Sequence, residues 1–263
     1  MLSIHRLKCA IPFTKGREVR PRLVVTLRPE MRRAIALLDD TLDFPAVDQA
    51  VEGMLAVGGD LSPARLIAAY EAGIFPWFDE STPPLWWAPE DRAILQLDQL
   101  RVSKSMRSVM RNAGFRLSMD TAFHQVMLGC KETRESRGES TWIGKEVLSG
   151  YHELYELGLA HSVETWLDGE LVGGLYGVSI GRMFFGESMF SKVSNASKVA
   201  FIALAKWLKR HDFGPLDCQI QNNHLASLGV TEIPRQAFMD LLQKHLHSGP
   251  TLRGKWSLDD SAE

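Results

Sequence analysis

The stretch that decides the fold reads FFGESMFS from Phe184 to Ser191 and is followed, after a helical segment, by LDCQIQNNH from Leu216 to His224. In an extended strand alternate side chains share a face, so Asp217 and Gln219 are predicted to point together while Cys218 points away. A carboxylate next to an amide can hold the amide NH2 group and leave its carbonyl oxygen facing a substrate hydrogen. The same two residues could equally form a satisfied pair that caps the following turn.

Turn and capping signals place the neighbouring elements. Asn195 precedes an amphipathic helix that is predicted to end near Arg210, and Asp168-Gly169 marks a hairpin between two strands. Gly181 then turns the chain into a third strand, which contains FFGESMFS. Three antiparallel strands, a crossover helix and a returning strand with Asp217 predict an α+β fold. Further helices are expected at 62–73, 103–114 and 145–157, and from positions 223 and 234.

Length and composition allow either one large domain or two modest ones. A chain of 263 residues with 45% apolar content can bury a full core. We place a boundary near Arg92, with a basic extension at 1–33, a small α+β domain at 34–92 and a larger domain at 93–263. Lys and Arg total 30 against 32 Asp and Glu, so no overall positive field attracts nucleic acid.

The cysteine pattern indicates a reducing compartment. Cys9, Cys130 and Cys218 form no CxxC pair and no even framework, which favours a cytosolic protein without structural disulfides. Apolar runs such as 202–208 are interrupted by Lys206 and are too short to span a bilayer, so we expect no membrane contact.

The N-terminal extension holds far more Lys and Arg than Asp and Glu. It could be a poorly ordered arm that adds RNA phosphate contacts, a transit-like segment, or an overlong start with Met31 as the true beginning. We favour a poorly ordered arm without an essential function.

Three patterns could suggest other chemistry. Residues 177–181 spell GxSxG, but a nucleophile elbow needs a strand leading into a helix, and here Ser179 lies between two strands. His152-Glu153 lacks the second histidine of HExxH, so no metal site is expected. A catalytic thiol at Cys218 would require an activating base and an exposed position, and strand alternation favours a buried structural cysteine instead.

Aromatic and basic surfaces offer two further candidates. The segments IFPWF and DESTPPLWWAP, after Gly73, are predicted to be loops that line a site or pack one domain against another. Lys104, Arg107 and Arg111 recur at spacings of three and four on one helix face. That face could be merely solvated or could bind phosphate groups.

Five segments stand out by their length and unusual composition. They are GGDLSPARLIAAYEAGIFPWF (58–78), LWWAPEDRAIL (85–95), the region from AHSVETW to FFGESMFS (160–191), NASKVA (195–200) and DCQIQNNHLASLG (217–229). Together they closely resemble the leucyl/phenylalanyl-tRNA-protein transferases, from about Phe44 to about Leu246. The resemblance implies an acetyltransferase-like (GNAT-type) fold for the larger domain. Residues 134–140 lack the glycine-rich turn of coenzyme A-dependent relatives, so that cofactor is not implied.

The resemblance also implies a reaction. The α-amino group of a protein with N-terminal Arg or Lys attacks the ester of leucyl-tRNA or phenylalanyl-tRNA, which forms a peptide bond and releases the tRNA. The product is marked for N-end rule degradation. No cofactor is needed, because the ester is already activated, and we expect a monomer.

Roles for individual residues follow from the resemblance. Gln219 is expected to orient the attacking amine, with Asp217 fixing its amide. Trp77, with Tyr70 behind it, and Asn222 are expected to bind the terminal adenine of tRNA. Glu187 either contacts the basic acceptor residue or holds a neighbouring strand. The apolar pocket for Leu, Phe and Met is expected to contain Trp142, Leu175, Phe184, Met189, Phe201 and Leu216.

We expect alanine at Asp217 or Gln219 to remove activity while the fold survives, and alanine at Cys218 to leave activity intact. Two rival functions remain: a transferase of the same fold acting on a cell-wall peptide, and a noncatalytic tRNA-binding protein. The Asp-Cys-Gln motif argues against the first, and the presence of both Asp217 and Gln219 argues against the second.

Overall fold

The computed structural model describes residues 35–138 and 141–258. The predicted N-terminal extension at 1–33 therefore lies outside the described residues. Within them the chain forms two sheets with helices packed around the larger one, so the α+β class is confirmed. No helix in these two ranges is long and apolar enough to cross a membrane.

The smaller sheet has four strands in the order β1-β2-β4-β3. They are β1 (Ala36–Leu38), β2 (Met54–Gly58), β3 (Phe75–Pro76) and β4 (Leu85–Trp87). The prediction that the IFPWF and DESTPPLWWAP segments are entirely loop was wrong, because they contain β3 and β4, which pair antiparallel. The indole of Trp86 donates to the Gly58 carbonyl at 2.9 Å, which ties β4 to β2.

The larger sheet has seven strands in the order β11-β5-β10-β9-β8-β7-β6. They are β5 (Asp91–Leu95), β6 (Arg116–Met119), β7 (Ala160–Leu167), β8 (Glu170–Ile180), β9 (Met183–Ser191), β10 (Leu216–Gln219) and β11 (Thr231–Pro234). The predicted hairpin is confirmed: Asp168 and Gly169 have φ values of +52° and +85°, and β7 pairs antiparallel with β8. β9 and β10 pair parallel, as the predicted crossover requires.

Seven α-helices lie in the described ranges. They are α1 (Pro63–Glu71), α2 (Lys104–Asn112), α3 (Phe123–Glu135), α4 (Lys145–Glu156), α5 (Ala196–Arg210), α6 (Asn223–Ala226) and α7 (Arg235–Leu246). The predicted caps are present, since Ser62 and Ser103 each accept a backbone N–H from the first turn of the helix that follows. Sequence analysis missed α3, which begins without a side-chain cap.

The larger sheet separates two hydrophobic cores. One contains the inner faces of α1, α3, α4 and α7, and the other contains most of α5 and the inner residue Met106 of α2. α5 crosses behind the sheet between β9 and β10. The candidate site forms where these two parallel strands meet α5 and the smaller sheet.

Candidate active site

A cavity of about 330 Å³ opens beside β9 and β10. Most of the predicted apolar wall lies there, namely Trp142, Leu175, Met189, Phe201 and Leu216. Leu204 and Leu225, which sequence analysis did not select, extend this wall. Such a lining excludes water and favours a branched or aromatic side chain.

Phe184 does not line the cavity, so its predicted place in the wall was wrong. It is only 1% exposed and its ring lies 5.7 Å from that of Trp256, in the core behind the cavity. Trp256 belongs to a C-terminal segment far along the chain, which is why a local pattern could not reveal this packing partner.

A β-bulge turns Glu187 towards the cavity. On β8, Tyr176 pairs with Ser188 and Gly177 with Gly186, which leaves Glu187 as the extra residue on β9. Bulges of this kind re-aim a side chain and are common next to active sites. An added Cβ at Gly177 would clash with the Phe185 carbonyl, so the first glycine of GxSxG serves close strand packing.

The Glu187 carboxylate accepts three hydrogen bonds. Tyr70 and Tyr151 donate their hydroxyls at 2.7 and 2.8 Å, and the Gln219 side-chain NH2 donates at 3.0 Å. Burial raises the pKa of Glu187 from 4.5 to about 7, although the two tyrosine hydrogen bonds act in the opposite direction. Burial also raises the pKa of both phenols, so they remain protonated donors.

Asp217 forms a fully buried ion pair with Arg92. The Arg92 Nε and Nη2 atoms donate to the two carboxylate oxygens at 2.9 and 2.6 Å, and Arg92 Nη1 donates to the Gly73 carbonyl at 3.1 Å. The guanidinium also lies between the rings of Phe75 and Phe238, 4.6 and 4.5 Å from their centroids. Arg92 therefore joins β5 and β10 to the smaller sheet and α7.

This arrangement corrects the expected contact between Asp217 and the Gln219 amide. Asp217 Oδ1 accepts the backbone N–H of Gln219 at 2.9 Å, while the side-chain amide of Gln219 bonds to Glu187. Gln219 has a φ of +54°, and the register with β5 shifts between Asp217 and Gln219. A left-handed backbone costs a residue other than glycine about 1 kcal/mol or more, so the Asp217 contact stabilises a strained turn.

Two of the residues expected to bind adenine lie on the cavity wall. Trp77 and Asn222 both line it. Trp77 packs against Trp87 with ring centroids 5.8 Å apart, and Asn222 Oδ1 caps α6 by accepting the Leu225 N–H at 2.9 Å. Tyr70 is fully buried in the core against which Trp77 packs, its ring lies 5.0 Å from that of Phe185, and its hydroxyl donates to Glu187.

Cys218 lies on the cavity wall, yet it is poorly placed to react. Burial raises the pKa of its thiol well above the ordinary value, with the Asp217 charge acting in the same direction. A protonated thiol is a weak nucleophile. The expected burial is confirmed, but the prediction that Cys218 points away from Gln219 was wrong, because both residues line the cavity.

Comparison with known proteins identifies the family. The leucyl/phenylalanyl-tRNA protein transferase family matches residues 94–243, and its N-terminal domain matches 59–90. The leucyl/phenylalanyl-tRNA–protein transferase of Desulfatibacillum aliphaticivorans is 51% identical over 84% of this chain and 95% of that protein. The chain belongs to the leucyl/phenylalanyl-tRNA–protein transferase family. It is therefore an enzyme that transfers aminoacyl groups.

A second family member gives the same result. The protein of that name from Azoarcus sp. (strain BH72) is 49% identical over 87% of this chain and 98% of its own length.

The structure of L-PGS from Bacillus licheniformis has a TM-score of 0.34 and 14% identity over 64% of this chain and 54% of that chain. This structural similarity is too low to support an argument.

Several site residues of this transferase were not predicted from sequence. Arg92 and Tyr151 hold Asp217 and Glu187, and Arg134 and Tyr176 line the cavity. Arg92 lies in the LWWAPEDRAIL segment, which carries part of the family resemblance, but nothing in that segment indicates its buried partner Asp217. Residues 35–138 and 141–258 contain no group of three His, Cys, Asp or Glu side chains that could hold a metal ion.

The basic face of α2 is exposed as expected. Lys104, Arg107 and Arg111 are exposed, while Met106 is buried in the same core cluster as α5. None of the three cations forms an ion pair with the part of the chain that the structure describes. Their charges are therefore not neutralised by these residues, although Arg107 Nε and Nη2 donate to the Val102 carbonyl at 3.2 and 3.0 Å.

Proposed function

We propose that this enzyme moves Leu or Phe, and also Met, from aminoacyl-tRNA to the α-amino group of proteins that begin with Arg or Lys. The observation that carries the proposal is an apolar cavity whose polar edge holds Gln219 and Glu187 in mutual contact. A cavity of about 330 Å³ is large enough for an apolar side chain and part of an adenosine.

The donor would bind with its side chain against the apolar wall. Leu175, Phe201 and Leu216 offer contacts that favour Leu, Phe and Met over polar side chains. Trp77 supplies an aromatic surface for the terminal adenine, and the Asn222 amide supplies a hydrogen-bond donor. The ester carbonyl would then lie close to Gln219.

The reaction needs positioning more than a strong base. The neutral α-amine attacks the ester carbonyl, a C–N bond forms, the C–O bond to ribose breaks, and the amine proton passes to the departing ribose oxygen. An α-amine has a pKa near about 7.7 to 8.0, so an appreciable fraction is neutral at pH 7. Because the Gln219 NH2 bonds to Glu187, its carbonyl oxygen is free to accept a hydrogen from the amine and orient it.

The acceptor's basic residue would be attracted by Glu187. Its carboxylate borders the cavity and has only neutral hydrogen-bond donors around it. A guanidinium or ammonium group in contact with the carboxylate would add to the effect of the more distant Arg92 and would lower the pKa of Glu187 further. This contact explains why a basic N-terminal residue would be preferred.

Asp217 acts in this proposal as a positioning residue. Both of its oxygens are occupied by Arg92, and one also accepts the Gln219 N–H. Through the last of these contacts the carboxylate holds the turn that aims Gln219.

The contacts to the tRNA backbone, the fate of the product and the domain organisation are further parts of this proposal. Lys104, Arg107 and Arg111 bind the tRNA backbone, and the product is degraded through the N-end rule in the cytoplasm. The larger domain, from about residue 93, has an acetyltransferase-like fold. The parallel β9–β10 pair with its crossover helix supports that assignment, and β5, which begins at Asp91, supports a boundary near Arg92.

The test is a transfer assay with radiolabelled leucyl-tRNA and matched peptides that begin with Arg, Lys or Ala. We expect labelled Arg and Lys peptides, no labelled Ala peptide, and no requirement for ATP. Tight binding of leucyl-tRNA without transfer to any peptide would indicate a noncatalytic tRNA-binding protein. Transfer that ignores the N-terminal residue would refute the role of Glu187.

A further inference from the structure

A second cavity, of about 180 Å³, lies between the starts of α2 and α5 and the end of α6. Its polar lining includes the cations Arg101 and Lys198 and the hydroxyl side chains Ser103, Ser105 and Ser227. We call it the phosphate cavity.

The chemistry of the phosphate cavity favours an anion. Its lining contains no Asp or Glu. Within residues 35–138 and 141–258, neither Arg101 nor Lys198 forms an ion pair. Two cations that share a small concave site without a carboxylate repel each other unless an anion lies between them.

The adjoining helices reinforce this preference. Ser103 caps α2, and Asn195 precedes α5 without making a side-chain capping bond to it. Helix N-termini carry partial positive charge and backbone N–H groups, which favour phosphate. Guanidinium and ammonium groups are side-chain donors that contact phosphate oxygens in nucleic-acid complexes, whereas the Ser227 hydroxyl already donates to the His224 carbonyl and the Ser103 and Ser105 hydroxyls bond to each other.

The location relates the phosphate cavity to the active site. Lys198 precedes Phe201 of the active-site wall by about one helical turn, roughly 4.5 Å along α5. Similarly, Leu225 lines the active-site cavity, and Ser227, just beyond it, lines the phosphate cavity. A strand whose terminal nucleotide occupies the first cavity would pass the second within a few nucleotides.

We propose that the phosphate cavity binds one backbone phosphate of the donor tRNA close to its aminoacylated 3′ end, an inference that rests on the proposed function. The contact is separate from the basic face of α2. At about 100° per residue, Ser105 and Val109 face the cavity, while Lys104, Arg107 and Arg111 lie on the opposite side of the helix.

The experiment compares the full-length enzyme with the double variant Arg101→Gln/Lys198→Gln. The matched control is Lys206→Gln/Arg210→Gln, which removes two exposed charges from the other end of α5. Each protein is assayed with leucyl esters of adenosine, of the trinucleotide CCA and of full-length tRNA. The salt dependence of tRNA binding is measured in parallel.

We expect the cavity variant to transfer leucine from the adenosine ester at the wild-type rate, because that donor carries no phosphate. With the CCA ester and with tRNA its KM should rise about tenfold, and kcat should stay unchanged. The slope of log K against log salt should fall by about 0.7 to 0.9, the effect of one phosphate. Each single variant should produce most of that change, since both cations contact the same phosphate.

Three outcomes would overturn the inference. One is an equal rise in KM for the adenosine ester, which would place the effect in the active site. The second is a salt slope that matches the control variant. The third is that inorganic phosphate binds to the wild type and not to the cavity variant while both proteins bind tRNA equally. That result would indicate a site for free phosphate. If wild type transfers leucine in any of these cases, only this inference fails and the proposed function stands.

Discussion

The buried pair of Arg92 and Asp217 allows a test that separates stability from catalysis. Both side chains are almost fully buried, and their two hydrogen bonds measure 2.9 and 2.6 Å. Replacing Arg92 by Met leaves the Asp217 carboxylate without a counter-ion, which should cost about 3–5 kcal/mol of unfolding free energy. Asp217→Leu should cost a similar amount because the guanidinium is then unpaired. The expectation that the fold survives alanine at Asp217 therefore requires that the wild type be more stable than this loss.

The double variant Arg92→Met/Asp217→Leu should lose far less unfolding free energy than the two single variants lose together. An apolar pair in place of a buried ion pair is often neutral or better, and the lost hydrogen bond to Gln219 costs about 1 kcal/mol. We therefore expect a total loss of no more than about 2 kcal/mol and a coupling energy of several kcal/mol. Urea unfolding, followed by tryptophan fluorescence, gives these free energies.

Arg65 provides the matched control. Its side chain is also fully buried, but its partner Asp60 is 58% exposed. Water screens the Asp60 end of this pair, so the coupling energy in the cycle with Asp60→Ala should be smaller than that of the Arg92 and Asp217 cycle. Additive losses at Arg92 and Asp217 would refute the reasoning.

Activity of the double variant then isolates the catalytic role of Asp217. The variant keeps its fold but has lost the acceptor that stabilises the strained Gln219 turn. Transfer should fall by at least about tenfold although the protein remains folded. A double variant with wild-type transfer would show that Asp217 serves stability alone.

Three further predictions follow from the cavity and the basic face. Because the folded pKa of Glu187 lies near 7 and above its usual 4.5, its ionisation should destabilise the wild type as pH rises through this window. Glu187→Gln should therefore gain stability relative to wild type as pH rises from about 5 to about 7 in urea unfolding, and a stability difference that does not change with pH would contradict this. In transfer to the Arg peptide the variant should lose the part of the rise near pH 7 that comes from Glu187 and keep the part that comes from the α-amine. Leu175→Ala enlarges the cavity, so kcat/KM with phenylalanyl-tRNA relative to leucyl-tRNA should rise by about 10-fold or more. The control is Phe184→Leu, which lies outside the cavity and should change stability but leave that ratio unaltered. Joint replacement of Lys104, Arg107 and Arg111 by Gln should lower the salt slope of tRNA binding by up to about 0.7 to 0.9 per lost contact, with stability unchanged; an unaltered slope would mean that the face is only solvated.

Local rules in the sequence predicted much of the fold. Capping residues such as Ser62 and Ser103, and the Asp168-Gly169 turn, act over a few residues, so their helices and hairpin could be placed without tertiary information. The start of α3 carries no capping signal, and β3 and β4 depend on pairing with each other across a loop. Those elements could not be recognised from local patterns.

The candidate site shows the same division. The family resemblance led us to expect Leu175, Met189 and Leu216 in the apolar wall, and all three line the cavity. The two bulges at Glu187 and before Gln219 break the alternation of strand side chains, which is why the amide of Gln219 contacts Glu187 and not Asp217. The Arg92 partner of Asp217 is 125 positions away in the chain, and no spacing rule connects them.

The most direct test of the account is single-turnover transfer of leucine from leucyl-tRNA to an Arg peptide by Gln219→Ala, with Cys218→Ala as the control. Loss of the Gln219 carbonyl oxygen should slow transfer by about 100-fold while the Kd for leucyl-tRNA stays within about twofold of wild type. The control should transfer at nearly the wild-type rate, since the pKa of the Cys218 thiol is raised and its proton is retained. Wild-type transfer by Gln219→Ala together with inactivity of a folded Cys218→Ala would contradict the account and indicate a thiol nucleophile.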